Sequence, residues 1–210
     1  MKITGLYQAK VQRIGPKNEL TGIYKHSVNS AQIDNLGIQG DVQIDKRYHG
    51  GPERALHQYA LKSYEVIIKA HPLLHKTAWP GSMGENISVP TMHEQNVCIG
   101  DIYQIEECLI QVSGPRMPCF KIAEKFKTPG LDKFVAKHAI HGWYYRVLKG
   151  GELTINDDIT LIERPNPELS IAEFLAVVQG KVTAVDRLNH CVNARGLDPE
   201  WKEKLLRQRS

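Results

Sequence analysis

One stretch of the chain passes from a strand pattern into a stiff loop, and it decides the fold: Cys108-Leu-Ile-Gln-Val-Ser-Gly-Pro-Arg-Met-Pro-Cys119. The run Cys108–Val112 is rich in apolar and β-branched residues, which is typical of a strand. Pro115 and Pro118 fix their own φ angles and bias the residues before them toward extended geometry. The sequence therefore predicts a strand that ends in a rigid loop carrying Cys119.

The thiol of Cys119 lies in the sequence between two cations, Arg116 and Lys121. Nearby positive charge favours the thiolate, which is both a nucleophile and a soft metal ligand. These residues therefore suit an activated cysteine. The alternative is a buried, inert cysteine beside a surface arginine.

Composition is that of an ordinary soluble globular protein. The 210 residues can bury one good core, and 41% hydrophobic with 24% charged residues is the usual balance. The formal net charge of +4 is scattered without a basic block, so we expect no nucleic-acid binding. No long apolar run or apolar signal region occurs, so we expect a cytoplasmic protein without a membrane segment. The cysteines show no zinc or iron–sulfur spacing.

Up to about Glu163 the chain reads as short strands punctuated by Gly and Pro. One helix is predicted at Lys62–Ala70, ahead of His71-Pro72. Many short strands with few helices favour a mainly β, α+β fold built around a closed or nearly closed barrel. Strands are predicted at Ile3–Val11, at 96–112 with hairpin-like turns at Gly100-Asp101 and Glu106-Glu107, at Trp143–Leu148 and at Ile159–Glu163.

The pattern becomes helical after Pro165-Asn-Pro167. Ser170–Glu173 and Thr183–Asp186 both pair a hydroxyl with an acid at capping-box spacing, and Asp198-Pro199 can start a third helix. We therefore divide the chain into a barrel of residues 1–164, which should hold the chemistry, and a three-helix tail of residues 168–210. The tail is too small for a core of its own, so it should pack on the barrel or on a partner.

A cationic, glycine-containing cluster runs from Lys46 to Arg54. Its paired glycines let backbone N–H groups approach a ligand, and its cations can neutralise a phosphate. Histidine titrates near neutral pH, which makes His49 a candidate proton donor. The alternative is an ordinary Gly-Gly-Pro turn in which His49 caps the backbone. The candidates for anion binding are Lys46, Arg47, Gly50, Gly51 and Arg54.

A third polar loop is Pro80–Asn86, where glycines flank polar side chains. Asn86 offers a donor and an acceptor to the edge of a heterocycle, and Glu85 can accept from ring N–H groups. The alternative is that both side chains satisfy local backbone groups.

Taken in order, these segments resemble the MOSC domain, named from the C-terminal domain of molybdenum-cofactor sulfurase. The similarity is closest to the bacterial subgroup known for resistance to 6-N-hydroxylaminopurine, whose C-terminal extension the helical tail also resembles. The resemblance covers about Val28 to Glu163, with one departure at Gly114, where a polar residue such as Gln is expected. The matching blocks are Gly37–Asp41, His49–Glu53, Gly84–Asn86, Ile99–Asp101 and Leu109–Cys119.

The resemblance implies a β-barrel, a molybdenum–pterin cofactor, and Cys119 as the thiolate ligand of the metal. The residue chemistry agrees, because molybdenum on a pterin dithiolene is thiophilic and one cysteine can complete its sulfur ligands. The candidate cofactor-binding residues are Arg116, Lys46, Arg47 and Arg54 for the pterin phosphate, Gly50 and Gly51 for backbone approach, and Glu85 and Asn86 for the heterocycle.

We therefore expect an enzyme that reductively removes oxygen from N-hydroxylated bases or amines. Cys119 and His49 are the predicted catalytic residues, and Tyr48, Trp143 or Tyr144 could stack on a purine. Because the chain has no iron–sulfur, flavin or nicotinamide pattern, electrons should come from a separate reductase. Two alternatives stay open: Cys119 delivers sulfur as a persulfide, or the protein carries the cofactor without catalysis.

Overall fold

The computed structural model describes residues 1–44 and 50–207. Lys46, Arg47, Tyr48 and His49, all predicted above to contact ligand or substrate, lie outside the described residues. The strands are β1 (Gly5–Ala9), β2 (Gln12–Ile14), β3 (Glu19–Thr21), β4 (Lys25–Val28), β5 (Ser30–Asp34), β6 (Gly37–Ile38), β7 (Leu56–Gln58), β8 (Ile87–Ser88), β9 (Ile102–Ile105), β10 (Cys108–Pro115), β11 (Trp143–Lys149), β12 (Gly151–Thr154) and β13 (Ile159–Glu163). The α-helices are α1 (Leu61–Ala70), α2 (Lys121–Phe126), α3 (Leu131–Lys137), α4 (Ile171–Val178), α5 (Val185–Val192) and α6 (Pro199–Arg207), and short 3₁₀ helices lie at Pro52–Arg54 and Pro72–Lys76.

The main sheet curls into a half-barrel of eight strands in the order β13-β9-β10-β11-β7-β8-β1-β4. Its neighbours pair antiparallel except β7 and β8, which run parallel. Two smaller sheets, β12-β5-β6 and β2-β3, complete the strands. The predicted α+β class with a barrel-type sheet is confirmed.

Strand β10 lies inside the main sheet and leads directly to the predicted thiol. It pairs with β9 through a tight turn in which Glu106 takes a positive φ of 48°, and with β11 on its other side. Ile110 and Val112 are fully buried, which explains why this part of the sequence reads so clearly as a strand. The register shifts between Val112 and Gly114, just before the strand ends at Pro115.

The tail packs on the barrel in one continuous core. Phe174 and Leu205 belong to the same buried cluster as Val112 of β10. The Trp201 ring lies edge-to-face against Phe174 at a centroid distance of 5.4 Å, and its Nε1 donates to Pro115 O at 3.1 Å. A Cβ at Gly114 would lie 2.8 Å from the Trp201 ring, so the unusual glycine in the MOSC-like block makes room for the tail. The boundary between residues 1–164 and 168–210 stays a prediction, and the packing shows that the two parts share a core.

The three predicted tail helices are present, and two short helices were not predicted. Ser170 Oγ accepts from Glu173 N at 3.1 Å, as the capping-box pattern implied, whereas α5 begins after Ala184, not after Thr183. The six- and seven-residue helices α2 and α3 are too short to show a helical period in the sequence. Gly100-Asp101 forms a turn, but the residues before it make only an isolated bridge from Cys98 to Ser170.

Within residues 1–44 and 50–207, none of the helices has the length and apolar character needed to cross a membrane.

Candidate functional site

Cys119 lies in the connection between β10 and α2, which we call the thiol loop (Arg116–Phe120). Its carbonyl oxygen accepts from Ile122 N at 3.0 Å, so the thiol stands at the entry to the helix. The side chain is partly exposed, whereas Cys98, Cys108 and Cys191 are buried. Burial raises the pKa of Cys108 and of Cys191 to about 11, which keeps those thiols protonated and inert.

Two cavities adjoin at Cys119, and Arg54, Lys121 and Tyr144 line both of them. The first, the polar cleft, has a volume of about 90 Å³ and a wall in which cations outnumber carboxylates. Its charged wall residues are Lys25, Asp41, Arg54, Arg116 and Lys121. Lys25 pairs with Asp41, and Arg54 pairs with Asp198 and Glu200, so Arg116 and Lys121 supply the positive charge for an anionic group.

Arg116 is the buried cation of the polar cleft. It is only 6% exposed, and its backbone N–H donates to Gly142 O at 3.2 Å. Its Nη1 has no hydrogen-bond partner among residues 1–44 and 50–207. Burial lowers the pKa of Arg116, but the neighbouring Tyr144 and Cys119 outweigh it and raise the pKa overall. A buried guanidinium with an unused N–H is costly unless a ligand completes it.

Asn86 lines the polar cleft, but its side-chain amide already makes hydrogen bonds through both its oxygen and its nitrogen. Oδ1 accepts from His57 N at 3.1 Å, and Nδ2 donates to Asp41 Oδ2 at 2.7 Å and to Tyr7 O at 3.2 Å. Asp41 in turn pairs with Lys25 at 2.5 Å, with both side chains buried. Burial lowers the pKa of Lys25, and Asp41 acts in the opposite direction. These bonds match the alternative in which Asn86 supports the local fold.

Glu85 holds its own loop together, which we call the Glu85 loop (Gly81–Asn86). The side chain is fully buried and accepts from Tyr64 OH at 2.6 Å, Gly81 N at 2.6 Å and Met83 N at 3.1 Å. Burial raises the pKa of this carboxyl group, and the hydrogen bonds from Tyr64 and Gly81 act against that rise. The described walls of the two cavities do not include Glu85, so the structure also matches the supporting role here.

In the cationic cluster from Lys46 to Arg54, Arg54 is the described residue that lines the cavities beside the thiol. Gly51, with φ of 86°, starts the short 3₁₀ helix that carries Arg54 to the wall of both cavities. Arg54 Nη2 pairs with Asp198 at 3.1 Å and with Glu200 at 2.5 Å, which ties the barrel to α6. Gly50 and Gly51 are not among the described wall residues of either cavity.

The second cavity, the apolar cavity, has a volume of about 560 Å³ and lies on the other side of Cys119. Tail helix α6 contributes to its wall, which the sequence did not predict. The sequence signal for this contact was Gly114, the residue that departs from the MOSC pattern. Because it has no side chain, Gly114 leaves room for the Trp201 ring. Its lining residues besides Cys119 are Glu19, Arg54, Pro115, Met117, Pro118, Phe120, Lys121, Tyr144, Glu200, Trp201 and Lys204.

Of the candidate stacking residues, Tyr144 reaches the site and Trp143 does not. Tyr144 lines both cavities, and burial raises the pKa of its hydroxyl against the opposing effect of Arg116. Trp143 points into the hydrophobic core with no exposed surface, because neighbouring residues of β11 face opposite sides of the sheet.

The MOSC domain family matches residues 45–160, a segment that contains β10, Cys119 and half of the described residues that line the polar cleft. The chain belongs to the MOSC family. Protein YiiM of Escherichia coli (strain K12) is 29% identical over 205 residues, covering 97% of this chain and 91% of YiiM. The crystal structure of Escherichia coli YiiM superimposes with a TM-score of 0.83 at 25% identity, covering all of this chain and 92% of that one. This coverage includes the helical tail.

A second relative is named Reductase, from Gibberella moniliformis (strain M3125 / FGSC 7600). It is 35% identical over 193 residues, which is 89% of this chain. The chain spans only 34% of the length of that reductase, so most of the relative lies outside the match.

MOSC domains are associated with molybdenum-cofactor binding, and the described residues fit such a group. The cofactor needs a thiolate for its metal and cations for its phosphate. Cys119 is accessible from both cavities, and the unbonded Nη1 of buried Arg116 lies on the wall of the polar cleft. The polar cleft offers its cations to the charged end of a pterin.

Proposed function

We propose that this protein binds a molybdenum–pterin cofactor through Cys119 and reductively dehydroxylates N-hydroxylated bases or amines. The observation that carries the proposal is the combination, in one cleft, of an accessible thiol with a buried guanidinium that lacks a partner on Nη1. When bound, the cofactor supplies the two-electron chemistry that reduces the N–O bond.

The residues of the chain have separate tasks in this proposal. Cys119 holds the metal, and Arg116 and Lys121 bind the anionic end of the cofactor. Tyr144 lines both cavities beside the thiol, and its ring would stack on a flat substrate. His49 lies outside the described residues and stays a candidate proton donor.

The reaction consumes two electrons and two protons: an N-hydroxylamine becomes the amine, and its oxygen leaves as water. We propose that a separate reductase supplies the electrons. Support comes from the relative named Reductase, because about two thirds of that protein has no counterpart in this chain and has room for an electron-donating part.

Metal and product analysis tests the proposal against the two alternatives. The protein is expressed in strains with and without a working pterin pathway, and its molybdenum, persulfide and turnover of 6-N-hydroxylaminopurine with an artificial reductant are measured. One molybdenum per chain with formation of adenine supports the proposal. Molybdenum without turnover favours a cofactor carrier, and persulfide on Cys119 without molybdenum favours sulfur delivery.

A further inference from the structure

The apolar cavity presents carbon surface beside the same thiol that borders the polar cleft. Met117 and Phe120 flank Cys119 in the thiol loop and remain 43% and 51% exposed. Pro118 lies between them and stiffens the loop, and both side chains line the apolar cavity. Apolar surface bordered by polar residues is characteristic of ligand-binding grooves.

Helix α6 closes this cavity from the tail and is fixed there by several contacts. Trp201 bonds to Pro115 through Nε1, and the Lys204 ammonium lies 4.7 Å from the centroid of the Trp201 ring. At the start of the helix, Asp198 N donates to Ser113 O at 2.8 Å, and its carboxylate pairs with Arg54. These contacts therefore fix the position of α6 relative to Cys119.

The two cavities differ in the chemistry that they favour. The polar cleft is small and cationic, whereas the apolar cavity is several times larger and offers the rings of Phe120 and Tyr144 with Met117. Aromatic faces hold flat heterocycles by stacking, and the ammonium of Lys204 can donate to ring nitrogens or carbonyl oxygens. A cavity of about 560 Å³ lies within the usual range for small-molecule sites.

We infer that the apolar cavity is the substrate compartment, that it selects aromatic over aliphatic N-hydroxylated compounds, and that α6 supplies part of this specificity through Lys204 and Trp201. The inference rests on the proposed function, because it places the substrate of that reaction. It also gives the helical tail a role at the site. Phe120 and Lys204 are the specificity residues that can be changed without opening the core, since both are exposed.

The test measures ligand affinity by calorimetry, on the full chain with and without the cofactor. The aromatic probe is 6-N-hydroxylaminopurine and the aliphatic probe is N-methylhydroxylamine. The variants are Phe120→Ala and Lys204→Ala, and the matched controls on α6 are Leu206→Ala and Lys202→Ala, which change exposed residues of the same kinds away from the cavity wall. Unfolding midpoints of all four variants verify that the fold is intact.

We expect Phe120→Ala to weaken binding of the purine about tenfold, the usual order for losing one stacked base. Lys204→Ala should weaken it severalfold, and neither control should change it. In the loaded protein the same two variants should raise KM for the purine with kcat retained, because they remove binding and leave the reacting groups in place. The ratio of kcat/KM for the purine to kcat/KM for N-methylhydroxylamine should therefore fall in both variants.

The outcomes separate this inference from the proposed function. Purine binding that depends on Phe120 and Lys204, in a loaded protein without turnover, supports the compartment and refutes the reductive activity. Turnover of the purine with unchanged affinity and KM in both variants supports the activity and overturns the compartment. Loss of purine binding on loading the cofactor also overturns it, because the cofactor would then fill the apolar cavity.

Discussion

The Glu85 loop and the thiol loop both place polar side chains beside Gly or Pro, yet they use their polar groups differently. In the Glu85 loop the carboxylate of Glu85 and the amide of Asn86 are bonded to the chain itself. In the thiol loop, Arg116 keeps a buried Nη1 without a partner among the described residues, and Cys119 borders two cavities.

This difference distinguishes polar groups that support the fold from polar groups that are available to a ligand. A buried polar group that is fully bonded has no capacity left for a ligand, so its contribution is to hold the backbone. A buried polar group with an unused donor carries a cost that a ligand can offset. By this criterion the Glu85 loop shapes the wall of the polar cleft, and the thiol loop is the part that we propose to bind the ligand.

The largest effect should come from Cys119→Ala. We expect at least a tenfold loss of bound molybdenum together with loss of N-hydroxy reduction, because the metal loses its protein thiolate. Elemental analysis of the purified protein measures the metal, and a product assay measures turnover. Matched variants Cys98→Ala, Cys108→Ala and Cys191→Ala should keep both, since these thiols are buried. Full metal content in Cys119→Ala would remove the basis of the proposed site.

Glu85→Ala should be the most destabilising change in the comparison. It leaves Tyr64 OH and two backbone N–H groups without an acceptor, and such groups cost at least about 1 kcal/mol each, so the free energy of unfolding should fall by at least about 3 kcal/mol. Urea denaturation measures this, with exposed Glu65→Ala on α1 as the control. Glu85→Gln, which keeps one acceptor oxygen, should bind cofactor nearly as well as the wild type. A tenfold loss of affinity in folded Glu85→Gln would instead place Glu85 in contact with the cofactor.

Arg116→Ala should weaken cofactor binding by about 1.5–3 kcal/mol, the scale of a charge-assisted hydrogen bond. Arg116→Lys should restore only part of the affinity, because an ammonium group cannot reproduce a bidentate guanidinium contact. Titration of the apoprotein with cofactor measures both, and exposed Lys133→Ala on α3 serves as the control. Wild-type affinity in Arg116→Ala would move the phosphate contact to Arg54 or to Lys46 and Arg47.

The sequence was most informative where the pattern is local. Ile159–Glu163 was predicted with the observed bounds, and Lys62–Ala70 differs from α1 by one residue, because each segment carries its own periodicity and end signals. The stiff loop after β10 was predictable for the same reason: two prolines restrict the chain whatever surrounds it.

Long-range partners could not be predicted from the sequence. Glu85 is bonded by Tyr64, which is 21 residues away, so the choice between ligand contact and support depended on the fold. Helix α6 was predicted as a helix, but its position beside Cys119 depends on contacts such as Trp201 with Pro115, 86 residues apart. Capping patterns fix where a helix starts and say nothing about which surface it covers.

The smallest expected effect concerns His141, which is buried beside the thiol loop with Nε2 3.3 Å from Ala136 O. Burial lowers the pKa of His141 to about 4, below the ordinary 6.5, so between these values the unfolded chain binds a proton that the folded protein does not. Stability is therefore complete above pH 6.5 and is lost as the pH falls toward 4. At pH 5.5 the loss from this residue should be about 1 kcal/mol relative to pH 7.

His141→Gln should lose less stability over that interval than the wild type, whereas exposed His190→Gln should follow the wild type. Urea denaturation at both pH values gives the comparison, and equal losses in wild type and His141→Gln would show that this histidine does not contribute to the acid sensitivity of the fold.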